Sequence, residues 1–257
     1  MDHSAVRLLI VSPLGGHVVG RFLGIEWGHA EAATTPAQVA EVLRRERPRF
    51  DVVLVDLMWN TFQEEWTFDG LDVLEHMVRS ERQEPALLAC QGHGFERDYL
   101  EEGRHHPLVR GMILKGDPGP VLLEAIGTIA GGGRFEHGHL NAALRRDHEA
   151  LGHWFARNLL LARVAGAIAA GHGASYAEIA RVLGVSTSTV EKSPALFREV
   201  MAPRGEVGPD GDLGQAAIFR WCGEHAHYIL SWCRRHRDRY RELSSLPPEV
   251  FVRQGGW

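Results

Sequence analysis

Five short runs of almost unbroken apolar character constrain this 257-residue chain more than any other feature. They are Val6–Val11, a weaker run His29–Ala33, then Val52–Asp56, Ala86–Cys90 and Val109–Lys115. Segments of helical periodicity stand between them. Pro36–Arg45 has Thr35 placed to cap it and proline at its first position. Gly70–Arg82 carries Leu71, Val73, Leu74 and Met77; Phe95–Glu102 is short; Pro118–Ala130 stops at Gly131-Gly132-Gly133. Strands this apolar throughout belong in a parallel sheet covered on both faces, with helices supplying the crossovers. Ligand chemistry in such a sheet lies at the carboxyl ends of the strands, where Ser12, Asp56, Cys90 and Lys115 fall.

Positive charge in this chain is almost entirely arginine. Of 28 cationic side chains only two, Lys115 and Lys192, are lysine. A lysine ammonium is a compact point charge, suited to a single oxyanion at a strand end, and Lys115 stands at one. The charge is also uneven: residues 1–144 carry 13 positive and 21 negative side chains, and residues 145–257 carry 15 and 12. An acidic front and a mildly basic back suit a control domain joined to one that meets nucleic acid. Three scattered cysteines make no disulfide framework, and the histidines show no spacing typical of a metal site. No run is long enough to span a membrane and no signal pattern opens the chain, so a cytoplasmic protein without membrane contact is expected.

The first ~135 residues resemble a response-regulator receiver domain. Asp-Val-Val-Leu-Val-Asp-Leu-Met (51–58) is similar to the phosphoacceptor strand, and Asp69-Gly70-Leu71-Asp72-Val73-Leu74 to the opening of the third helix. Gly-Met-Ile-Leu-Lys-Gly-Asp (111–117), with Leu122–Ile126 and Gly131–Phe135, is similar to the end of LuxR/NarL-type receivers. The resemblance implies a flavodoxin-like (βα)5 doubly wound parallel sheet. In that family an aspartate takes a phosphoryl group with a magnesium ion held by two acidic residues after the first strand. Here Ser12-Pro13 stands in their place, and Ala89-Cys90 where a hydroxyl residue is expected. Asp56 and Lys115 remain, so the expectation is a pseudo-receiver with a vestigial site of Asp56, Lys115, Ser12 and Cys90. Asp56 paired with Lys115 as a structural strand-end carboxylate is favoured over residual phosphorylation.

From the phosphoacceptor to the Asp-Gly that opens the third helix the family takes about seven residues, whereas this chain takes thirteen. The insert carries Trp59, Phe62, Trp66 and Phe68. Aromatic residues on a loop need a surface to cover. Three roles are open to them: a lid collapsed on its own domain, the wall of a small-molecule pocket, or an interface with another protein.

After Asp147 the pattern is helical, through Trp154, Phe155, Leu159, Leu160, Val164, Ala165, Ile168 and Ala169. Ala174–Val190 then reads as helix, glycine turn, helix, with Ser175 and Ser186 as caps and Gly184 at the turn. It resembles the helix-turn-helix of LuxR/NarL-type output domains. That resemblance puts Ser186, Thr187, Ser188 and Thr189 at the major groove, with Lys192 and Arg198 on phosphates. Glu191 and Pro194 depart from the pattern. Pro203–Gly214 reads as a mobile linker and Gln215–Leu243 as one helix, with Ile218, Trp221, Cys222, His225, Ile229, Trp232 and Cys233 on a broad face and a basic end, Arg234–Arg241. The basic end reads as a solvated helix terminus complementing its own dipole, with phosphate contact or dimerisation through the Trp221/Trp232 face as the functional alternative.

The sequence thus predicts a receiver-like domain (1–135), a linker helix and all-α helix-turn-helix domain (136–202), and a linker with a helical C-terminal extension (203–257). The expected function is a DNA-binding transcription regulator, a homodimer on double-stranded DNA. Its control would come from a small-molecule ligand, a protein partner or oligomer state. An adaptor that binds another regulator or polymerase is the alternative. No nucleophile–base pair or glycine-rich phosphate loop is present, so neither enzymatic activity nor a cofactor is expected.

Overall fold

The computed structural model describes residues 6–15, 29–46, 49–61, 64–144, 149–207 and 213–238. The chain divides into two compact units, Met1–Arg145 and Arg146–Trp257.

In the first unit, β1 (Leu8–Val11), β2 (Ala30–Ala33), β3 (Val52–Asp56), β4 (Ala86–Cys90) and β5 (Val109–Leu114) form one parallel sheet in the order β2-β1-β3-β4-β5. This is the flavodoxin-like order, with its switch point at β1, where the path of the chain reverses across the sheet. Every residue of β1, β3 and β4 is buried, as strands covered on both faces require. The helices are α1 (Pro36–Arg44), α2 (Gly70–Arg79), α3 (Arg97–Gly103), α4 (Gly119–Ala130) and α5 (Gly138–Leu144). Leu122, Ala125, Ile126 and Ile129 of α4 bury against Leu8, Ile10, Leu54, Leu87 and Ile113 of the sheet.

Two starts are built as the residues dictate. Thr35 accepts from the Gln38 amide at the head of α1, and Asp69 accepts from Leu71 and Asp72 at the head of α2. Gly70 is needed for proximity rather than flexibility: a Cβ there would lie 2.7 Å from the Asp56 carbonyl oxygen. Helix α2 therefore starts directly on the end of β3.

The first unit extends past the expected boundary at 135. Phe135 donates its amide to the Arg110 carbonyl (2.9 Å), laying residues 134–136 along the free edge of β5. Arg104 reaches the carbonyl of Leu144 (3.0 Å), which ties α5 to the same unit. An edge strand covered in this way is protected from pairing with another chain.

The second unit contains α6 (Leu151–Arg157), α7 (Leu159–Ala169), α8 (Tyr176–Leu183), α9 (Thr187–Val190), α10 (Ser193–Met201), α11 (Gln215–Glu224) and α12 (Ala226–Arg235). The predicted single run after Asp147 is broken at Asn158, whose side chain caps α7 by accepting from the Leu161 amide. Helix α7 is the centre of the unit, and Leu161–Ala169 is buried throughout.

The C-terminal part differs from expectation. Gln215–Leu243 is not one helix: the described part breaks at His225, and residues 239–243 lie outside the described residues. His225 turns its ring against Trp221 (4.5 Å between centroids) and toward Glu206 (3.6 Å). The break lets α12 cover α7. Trp232 packs edge-on against Phe155 (5.3 Å) and Cys233 donates to the Ala162 carbonyl. Trp221 and Trp232 are 2% and 1% exposed, so the face considered for dimerisation is core instead. The stretch expected as a mobile linker is also partly fixed. Arg204 is buried with its Nε donating to Glu206 (2.7 Å), and Glu206 accepts from Trp221 Nε1 (2.8 Å); residues 208–212 lie outside the described residues.

Glu206 thus ties α11 to the segment that follows α10. Glu206→Ala removes an acceptor from the buried Arg204 guanidinium and from the Trp221 indole N–H, and is expected to cost about 3 kcal/mol in a urea melt. Glu206→Gln, which keeps an acceptor for Trp221, should recover part of that loss. Equal losses in the two variants would mean that charge alone matters.

Candidate functional site

At the switch point the carboxyl ends of β1 and β3 lie side by side, with Val11 paired to Val55. Ser12 follows β1 and Asp56 ends β3, so register alone brings their side chains together. Ser12 Oγ donates to Asp56 Oδ2 at 2.5 Å and accepts from the Leu14 amide at 3.1 Å. Lys115, just past β5, places Nζ 3.0 Å from the same carboxylate oxygen. The Lys115 amide donates to the Cys90 carbonyl (2.7 Å), which fixes the root of its side chain.

Asp56 is 6% exposed. Burial is the largest influence on it and raises its pKa above the ordinary 3.8, against the lowering effects of Lys115 and Ser12. Three of the four residues expected at this site therefore meet. Cys90 does not join them. Its strand neighbour Ala89 is the residue paired with Asp56, and alternation along β4 sends the Cys90 side chain to the opposite face. There Sγ donates to the Ile113 carbonyl (3.4 Å), and burial pushes the thiol up to about 12, the behaviour of a packing cysteine.

A cavity of about 190 Å³ adjoins the pair, lined by Leu14, Leu54, Ala89, Ile113 and Leu122 with Asp56, Lys115 and Asp117 at its polar side. Asp117 was not singled out from the sequence. It accepts from the Leu114 amide (2.8 Å) and faces His137 Nε2 (3.2 Å). The Leu140 amide donates to His137 Nδ1 (3.3 Å), so Nε2 carries the proton toward Asp117. Glu96 was missed as well. Its buried carboxylate accepts from the Gln91 and His93 amides and fixes the loop after β4. The signals in the sequence were an acid two residues after Lys115 and one six residues after Cys90.

The aromatic insert folds against its own unit. A bridge between Met58 and Asp69 closes its base, and Thr67 and Phe68 donate their amides to the Glu64 carbonyl. Trp59 and Phe68 are buried and meet edge to face at 4.8 Å. Trp66 is half-buried, and Phe62 lies outside the described residues. None of Trp59, Trp66 and Phe68 lines the cavity beside Asp56.

In the second unit, Ser175 caps α8, and Gly184 ends it in the left-handed conformation (φ 64°) that an L side chain resists. Ser186 then caps α9, accepting from the Thr189 amide. Ser186, Thr187 and Ser188 are exposed and Thr189 half-buried. Ser186 Oγ also bonds Ser188 Oγ (2.9 Å) and Thr189 Oγ1 (2.7 Å), so these hydroxyls are partly committed to the cap. Helix α9 is only four residues long, and a new helix starts at Ser193 with Pro194 in its first turn, where a missing amide is harmless. Lys192 stands at that junction beside Glu191, both exposed, and Arg198 is exposed on α10.

No family profile matches the chain, and no curated protein matches it in sequence. Solved structures do. One of the RcsB response regulator of Salmonella typhimurium, from work on its conformational dynamism for DNA interaction, has a TM-score of 0.51 at 16% identity, covering 84% of this chain and 98% of that one. One of two RcsB dimers bound to two parallel DNAs has a TM-score of 0.50 at 15% identity, covering 85% and 98%. The chain shares their fold: a receiver-type sheet domain followed by a helical unit.

The raised pKa of Asp56 has a pH signature. The folded protein holds this proton more tightly than the unfolded chain, so the site favours folding most below the unfolded pKa. That contribution falls as pH rises through the interval up to the folded value and is level above it. Asp56→Asn removes the titration. The stability of wild type relative to the variant should therefore decline with rising pH across that interval in urea melts. A rising difference would show that Lys115 and Ser12 outweigh burial.

Proposed function

We propose that the chain is a DNA-binding transcription regulator of the response-regulator type. Its receiver-like unit is controlled without magnesium-dependent phosphorylation of Asp56. The observation that carries the first part is the capped helix-turn-helix, Ser175–Val190, in a unit following a receiver-type sheet. The solved structures of like fold are of a response regulator, one of them bound to DNA. On this reading Ser186–Thr189 meet the duplex, Lys192 and Arg198 neutralise phosphate, and a homodimer reads a two-fold site.

The second part rests on Ser12. Phosphoryl transfer to a carboxylate needs a divalent cation to neutralise charge developing on the oxygens, and such an ion takes hard oxygen ligands. Ser12 instead spends its hydroxyl on Asp56 and the Leu14 amide. Asp56 is then a structural carboxylate paired with Lys115, and control comes from a ligand, a partner or association.

A second reading is favoured by the brevity of α9 and by Glu191, a carboxylate exposed where DNA phosphates would lie. Under it the helix-turn-helix packs the unit and the protein docks on another regulator or on polymerase.

Selection from genomic fragments with the purified protein, followed by salt titration of an enriched duplex, separates the two. The first reading expects a discrete site whose affinity falls steeply with salt as counterions are released. Lys192→Ala should weaken binding evenly across sequences and lower the salt slope by about 1. Absence of enrichment at low salt supports the adaptor. Incubation with acetyl phosphate and magnesium should leave the protein's mass unchanged, and an added phosphoryl group removed by Asp56→Asn would refute the phosphorylation-independent part.

A further inference from the structure

A cavity of about 340 Å³ opens on the outer edge of β5, and Asp56 does not line it. Its wall includes three arginines from three separate elements: Arg104 at the end of α3, Arg110 on β5, and Arg134 on the segment that follows α4. All three are exposed. The amide of Phe135 on the Arg110 carbonyl holds the last two segments side by side.

Elsewhere in this unit, Arg7, Arg45, Arg79 and Arg97 each face a carboxylate. Among the described residues, Arg110 and Arg134 have no side-chain hydrogen bond or ion pair. Arg104 gives Nη1 to the Leu144 carbonyl and keeps its other donors. The carboxylate in the wall, Glu136, accepts from Asn141 Nδ2 at 3.1 Å. Three guanidiniums and one carboxylate, Glu136, share this wall, so it carries an excess of positive charge that favours an anion seated among them. A guanidinium fork matches the paired oxygens of a phosphate, and forks carried on three separate segments can share the several oxygens of a tetrahedral group more readily than the two of a planar carboxylate. The volume accommodates a small molecule.

We propose that this cavity binds a small phosphorylated ligand, with a phosphate or diphosphate group held by Arg104, Arg110 and Arg134. The inference is independent of DNA recognition, which involves the other unit.

Isothermal titration of the full chain with inorganic pyrophosphate tests it, with citrate as a carboxylate control. The expected result is saturable binding at one site per chain, weaker by about tenfold or more in Arg110→Ala and in Arg134→Ala. Melting temperatures without pyrophosphate should be unchanged in both variants, because the side chains are exposed. Arg110→Lys should recover only part of the affinity, since an ammonium lacks the fork. No saturable heat up to ~10 mM pyrophosphate, or affinity indifferent to both alanine substitutions, overturns the proposal. Citrate binding as tightly as pyrophosphate rejects the phosphate class. Loss of duplex affinity in these variants, with no pyrophosphate binding by the wild type, would assign the arginines to nucleic-acid phosphates and also reject it.

Discussion

A carboxylate buried at the end of a central strand has to be neutralised or satisfied, and the first unit is organised around how Asp56 is satisfied. Burying an ionised group costs several kcal/mol unless donors replace the lost water. Two are supplied from opposite ends of the unit's sequence, Ser12 after the first strand and Lys115 after the fifth, and both reach one oxygen. Each can arrive only if β1, β3, β4 and β5 hold their parallel register. The polar cluster therefore reports correct assembly of the sheet, while the apolar strand interiors supply most of its stabilisation. The fit does not erase the cost of burial, since Asp56 still titrates above its ordinary value. A site carrying such residual tension responds to anything that changes water access or the position of Lys115.

The central strands were legible because burial on two faces leaves an uninterrupted apolar run. Val52–Asp56 and Ala86–Cys90 appear at their expected bounds. Edges were read less well: β1 begins at Leu8 and β2 at Ala30, where pairing rather than composition decides the end. The Asp56–Lys115 pairing was legible from two charges closing apolar runs. The displacement of Cys90 follows from alternation along β4, which a strand without polar positions does not reveal. Asp117 and Glu96 were missed because each acts on backbone amides of its own loop, and loop geometry has no periodic signature.

Helix breaks were the other blind spot. Hydrophobic periodicity continues through Asn158 and His225, because the residues on either side face the same core. What breaks the chain is tertiary: an asparagine that caps α7, and a histidine that packs on Trp221 and approaches Glu206. A segment read as an appended helix turns out to complete the core around α7. A helix as apolar as Leu159–Ala169 needs cover on every side, and three-helix helix-turn-helix packing alone would leave one face to water. The aromatic insert follows the same logic. Trp59 and Phe68 close over their own unit, so their size reflects a gap to fill.

A polar contact joins the cavity beside Asp56 to the arginine-rich cavity on β5. His137 lines the arginine-rich cavity on β5, and its partner Asp117 lines the apolar one beside Asp56. Asp117 also holds the Leu114 amide, the last residue before Lys115. The Asp117–His137 contact therefore braces the turn that leads into Lys115, a cation that offsets the buried charge of Asp56. In a sheet whose strand interiors are close-packed, such loops are the part with room to take two arrangements. Ser12 holds the same oxygen of Asp56 from the β1 side, so the Asp117–His137 contact bears on the Lys115 side of the pair alone.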